Sequence, residues 1–263
     1  MASPSQNLTP RLYHAVDVGP AIAIFAAGVA TFLAVAMALG PGTLGLLGAD
    51  LAGLLGTTVI ATRWLTGGFD ALGIRAPRWR ALAGAAVIGA SFWLVNLRLS
   101  LPIAHLVGGE QELTDLQTHW INHRDLAPTL ITLAVVPGLS EEILCRGLLA
   151  RALAAKFPQW FAVVASATAF SLLHMSLART LPTFLLGLML AWIALTADSV
   201  WPAVVAHVVN NAVAIAIAAG ALDPVADLIH GHADAALAIA GAVTLAGGYL
   251  VISGQRNHPD SKT

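Results

Sequence analysis

Charge is scarce in this chain. Its 263 residues include 13 basic and 14 acidic side chains, 10% of the total. A water-facing domain carries about 25%, so these charges cannot clothe a soluble surface. Hydrophobic residues at 57% and a mean hydropathy of +0.78 suit a surface that faces lipid instead. The net charge of -1 leaves no electrostatic basis for a nucleic-acid partner. A single cysteine, Cys145, excludes an internal disulfide framework. Lysine is nearly missing beside arginine while Ala and Gly abound, the mark of a GC-rich prokaryotic genome. The start, Met1 to Gly19, is polar with one basic residue, Arg11. It lacks the charged n-region and cleavage site of a signal peptide, so the first apolar run reads as a retained anchor.

What the chain does contain is apolar runs near the length of about 20 residues that crosses a bilayer. Eight are legible: Ala21–Leu39, Leu44–Ala61, Ala81–Leu97, Leu126–Ala150, Phe161–His174, Leu181–Thr196, Pro202–Ala219 and Ala235–Ile252. The expected fold class is therefore all-α, a polytopic bundle of about eight transmembrane helices over residues 21–253. A polar segment, 1–20, precedes it, and a polar, disordered tail, 254–263, follows. The fifth run is short and is expected to borrow residues from its flanks. Arg63, Arg75, Arg78 and Arg80 follow the second run, Arg151 and Lys156 the fourth, Arg256 and Lys262 the eighth. By the positive-inside rule both termini are cytoplasmic, in a prokaryotic inner membrane. Arg98, Arg124 and Arg179 are the exceptions on the outer side. Gly109 to His123, with Leu113, Leu116 and Trp120 at helical spacing, reads as an amphipathic helix on the outer face. His119 with His123, and His230 with His232 in an outer loop, read as ordinary solvated pairs.

Small residues line the second run: Gly45, Gly48, Ala49, Ala52, Gly53 and Gly56. They are expected to allow close helix packing. Asp50 and Asn96, polar groups at membrane depth, are expected to face each other or a wet cavity.

The fourth run holds Glu141, Glu142 and Arg146, three charges that cost about 2.5–3.5 kcal/mol each at a helix centre. Glu142 and Arg146 are four apart, in the favourable order for an ion pair. Glu141 lies about 100° around the helix and faces elsewhere, which makes it the functional candidate. The fifth run ends in His174. The seventh carries His207 and Asn211 on one face, with Asn210 pointing away. Convergence of Glu141, His174, His207 and Asn211 gives a hydrolytic site. Glu141 and His174 can activate a water, and His207 and Asn211 can donate to the oxyanion of a tetrahedral intermediate. Cys145 shares the Glu141 face, but an apolar setting beside a carboxylate does not activate a thiol, so it reads as packing.

The three motifs resemble those of the CPBP family, the type II CAAX prenyl endopeptidases and bacteriocin-processing or Abi proteins. They are Glu141-Glu142-x-x-x-Arg146, Phe170-x-x-x-His174 and His207-x-x-x-Asn211, in order on successive helices over roughly residues 125–220. The Gly73–Arg80 segment is also typical of that family. The resemblance implies a glutamate intramembrane protease whose catalytic core lies in helices 4–7. Glu141 is then the catalytic carboxylate, His174 its partner, and His207 with Asn211 the oxyanion pair. Glu142 and Arg146 are supporting residues. No cofactor is expected. Zinc is the alternative, held by Glu141, His174 and His207, although Asn is a poor fourth ligand. The partners are the lipid bilayer and a peptide or membrane-protein substrate, whose identity the sequence leaves open. A proton-coupled transporter and a non-enzymatic immunity or scaffold protein are the rival functions. One tension remains in depth. Glu141 falls slightly past the midplane toward the cytoplasm, while His174, ending the fifth run, falls toward the outer side. Either that helix extends past His174, or an element is tilted or re-entrant.

Overall fold

The computed structural model describes residues 15–109, 121 and 125–256, all helix and connecting turns with no strand among them. Eight apolar helices follow the eight runs: α1 Val18–Leu39, α2 Thr43–Thr66, α3 Trp79–Leu106, α4 Leu126–Lys156, α5 Gln159–Leu173, α6 Leu177–Ala197, α7 Trp201–Ala218 and, after a short α8 Asp223–Gly231, α9 Ala233–Arg256. All but α5 and α8 are long and apolar enough to span a membrane. The chain is an integral membrane protein. The expected outer-face helix, with Glu110, Glu112, Asp115, His119 and His123, lies outside the described residues, as do most of both polar ends.

Helices α1 and α9 are peripheral. Only 11% and 17% of their most apolar windows are buried, against 50% for α4 and α6. The central helices α4, α6 and α7 meet two apolar clusters. Leu72, Leu144, Leu148, Phe170 and Val204 form one, and Ile88, Phe92, Leu190, Ala206 and Val251 form the other. Lipid tails are as apolar as these side chains, so close backbone approach through small residues drives helix association. The expected role of the small residues in α2 is visible at Gly53. A Cβ there would fall 2.5 Å from the Phe32 backbone of α1. Helices α3 and α9 cross in the same way, Gly84 against the Gly247 carbonyl.

At the end of the bundle where α2 and α4 finish, Asp198 sits in the α6–α7 turn with a left-handed backbone, φ 49°. It accepts from Arg75 and from Arg151, both at 2.8 Å. The Val200 amide donates to the Gly73 carbonyl, which ties the α2–α3 connection to the same turn.

Two expectations are corrected. Asp50 and Asn96 do not face each other. Asp50 accepts from Ser140 of α4, whereas Asn96 donates to the Pro182 carbonyl of α6 and accepts from Ser100. Each polar group found its partner on a different neighbour, because α2 packs on α1 and α4 while α3 packs on α6, α7 and α9. The segment carrying His230 is the amphipathic helix α8 rather than a loop.

Candidate active site

The register between α4 and α7 follows from two contacts. At one end Arg151 meets Asp198 at 2.8 Å; nine residues along each antiparallel path, Glu142 meets His207 at 2.9 Å. The approach depends on Pro137-Gly138. A Cβ on Gly138 would lie 2.7 Å from Val208 Cγ2, so glycine lets α7 seat against α4.

Pro137 acts on the site through the atom it lacks. Without an N–H it cannot bond the carbonyl four residues back, that of Leu133. Asn211 Nδ2 takes that place, donating to Leu133 O at 3.2 Å. Asn210 Nδ2 donates to Asn211 Oδ1 at 3.2 Å. Both ends of the Asn211 amide are thereby oriented, and its second N–H is spare. Asn210 was expected to point away. Its Cα does lie around the helix, yet its amide swings back onto its neighbour and supports it.

The structure separates the two adjacent glutamates as the helix geometry required. Glu142 and Arg146 are fully buried and paired at 2.7 Å. Arg146 also donates to the Gly187 carbonyl at 3.2 Å and lies over the Phe170 ring at 4.2 Å. Glu142 does more than balance a charge. The same Oε1 accepts from His207 Nδ1. An ionised carboxylate only accepts, so Nδ1 carries the proton and Nε2 is turned the other way. It points to Glu141, with Oε2 at 3.9 Å. Glu141 keeps 17% of its side chain exposed, while Glu142 keeps none. Cys145 is fully buried in the apolar cluster.

Phe170 joins the remaining histidine to this group. Its ring meets His207 edge-on at 5.8 Å and His174 at 5.1 Å. His174 is one turn beyond Phe170 on α5, and Asn211 is one turn beyond His207 on α7. The depth tension resolves through length. α5 does not extend past His174, which caps it, and it did not gain enough from its flanks to span. Its 15 residues give about 22 Å against a hydrocarbon core of about 30 Å. The chain turns back at Met175, φ 46°, directly after this short helix. Irregular backbone at membrane depth is tolerated where it is buried or lines a wet cavity. His174 Nδ1 donates to the Phe170 carbonyl at 3.1 Å, which leaves Nε2 as the acceptor nitrogen. Arg179, in the first turn of α6, acts electrostatically on both Glu141 and His174. In the sequence Arg179 stands out only as an exception to the positive-inside distribution.

No group of three or more His, Cys, Asp or Glu side chains is arranged to hold a metal ion among the described residues.

Two carboxylates, two imidazoles and an amide are thus gathered as a polar cluster among apolar helices. Residues 123–213, which hold every side chain of this group, match the family model described as type II CAAX prenyl endopeptidase Rce1-like. The site-bearing segment is thus similar to the family that the three motifs resemble, that of intramembrane endopeptidases of the CAAX-protease kind. No curated protein and no solved structure matches the chain.

Proposed function

We propose that the protein hydrolyses a peptide bond within the membrane with a water activated by Glu141 and His174. The observation that carries this reading is His207 held between two carboxylates, at 2.9 Å from Glu142 and 3.9 Å from Glu141. Glu141 takes a proton from the water, with His174 Nε2 as the second acceptor. The hydroxide attacks the carbonyl carbon. The resulting oxyanion is met by His207 Nε2, a donor when the ring is doubly protonated, and by the spare N–H of Asn211. Collapse breaks the C–N bond, and Glu141 returns its proton to the departing amine. No covalent enzyme intermediate and no metal take part. The family name makes a prenylated CAAX tail the first substrate to test, among peptides and membrane proteins generally. The arginine distribution supports cytoplasmic termini.

The test is comparative proteomics of membranes carrying wild type and Glu141→Gln, with purified protein then assayed in proteoliposomes on the peptides that differ. Glu141→Gln and His174→Ala should stay folded and cut nothing. Cleavage by Glu141→Gln at the wild-type rate would remove the mechanism.

A further inference from the structure

Asp50 is the sole acidic side chain of α2, and it is 2% exposed at membrane depth. A buried acid in such a helix is costly and marks function by default. Its Oδ1 accepts from Ser140 Oγ at 3.1 Å, and its Oδ2 has no hydrogen-bond partner among the described residues. Ser140 is itself fully buried and immediately precedes Glu141.

The turn that carries Glu141 is short of bonds of its own. Pro137 withholds one N–H from it. Wider, π-helical turns flank it at Ile131–Val135 and Ile143–Ala150, with Val136–Glu142 as the regular α-helix between them. Such turns are frequent at functional sites, and they weaken the local ladder. Asp50 sits in a π-helical stretch of α2 as well, Ala49–Gly56. Ser140 has a rival acceptor in the Val136 carbonyl of its own helix, at 2.9 Å. One hydroxyl proton serves one of them at a time, and a bond to a carboxylate is the stronger of the two.

We propose that Asp50 is a positioning residue for Glu141: through Ser140 it fixes, from a helix outside the family-matched segment, the turn of α4 that presents the Glu141 carboxyl. This rests on Glu141 being the base of the proposed hydrolysis. Misplacement by about 1 Å can cost 10²-fold in rate, so the link is felt in turnover.

The experiment uses the full chain in lipid nanodiscs with Asp50→Ala, Asp50→Asn, Ser140→Ala and the double variant Asp50→Ala/Ser140→Ala. Two quantities are read: hydrogen exchange over residues 136–142, and kcat and KM on a peptide cut by wild type. Asp50→Ala and Ser140→Ala should each lower kcat about 10-fold or more with KM little changed, and speed exchange in that segment. The double variant should be no worse than either single one, since both break one link. Asp50→Asn retains an acceptor and should fall between wild type and Asp50→Ala on both measures, which also covers the case in which Asp50→Ala does not fold. Additive losses, an Asp50→Asn as impaired as Asp50→Ala, or unchanged exchange would overturn the proposal. If wild type and Glu141→Ala cut alike, the hydrolysis reading fails, and the exchange data still decide whether Asp50 holds the turn.

Discussion

Glu142 Oε1 accepts two hydrogen bonds at once, from Arg146 at 2.7 Å and from His207 Nδ1 at 2.9 Å. One carboxylate therefore neutralises a buried guanidinium and sets the direction of an imidazole. Removing one partner of a buried pair costs about 3–5 kcal/mol, because the other charge is left uncompensated. Glu142→Ala should lose stability of that order, seen as a large fall in the unfolding midpoint in detergent. Glu142→Gln keeps an oxygen that can accept from both donors but loses the charge that strengthens both bonds. It should fold with a smaller loss and turn over more slowly, because His207 is held less firmly. A Glu142→Gln protein with wild-type kcat would show that His207 needs no such support.

Pro137→Ala is expected to trade activity for stability. The alanine supplies the missing N–H, which can then bond Leu133 O and displace Asn211. One oxyanion donor is worth about 10²–10³ in rate, so kcat should fall by at least 10-fold while the midpoint holds or rises. Unchanged turnover, with Asn211 still on Leu133, would refute the link between the proline and the amide.

Gly138→Ala should push α4 and α7 apart, because the new Cβ meets Val208 Cγ2 at 2.7 Å. Overpacking of this kind costs about 1–3 kcal/mol. Val208→Ala in the same chain removes the obstructing methyl and should recover much of both stability and cleavage. Failure of the second change to rescue the first would mean that glycine is needed for another reason.

The fold was legible because lipid exposure writes itself into composition: each of the eight apolar runs is a helix. The division of Glu141 from Glu142 was legible too, since four-residue spacing to Arg146 decides it. Three things were hidden. The partner of Asp50 depends on which helices neighbour α2, and no periodicity encodes that. The behaviour of Asn210 depends on a side-chain torsion, so placing its Cα around the helix gave the wrong direction. The depth of His174 depends on the length of α5. The fifth run is short, and its length alone does not decide between a helix that extends past His174 and one that stops there. Arg179 was visible as a charge on the wrong side, and it lies in the first turn of α6, one short connection after His174.

Phe170 separates a packing role from a site role. It is 1% exposed, lies under Arg146 at 4.2 Å and touches both histidines edge-on. Phe170→Ala removes a large buried ring and should cost about 3–5 kcal/mol, which would mask any effect on chemistry. Phe170→Leu keeps most of the apolar volume and discards the π face. It should cost less, since volume-conserving swaps usually cost under about 1.5 kcal/mol; the lost cation–π contact adds up to about 2 kcal/mol for a desolvated pair. If the ring serves only to fill space, Phe170→Leu should cut substrate at the wild-type rate once its folded fraction is corrected for. If the ring holds Arg146, His174 and His207 in one arrangement, kcat should fall several-fold with KM little changed. We expect the second outcome, measured by cleavage in proteoliposomes alongside thermal unfolding of the same preparation.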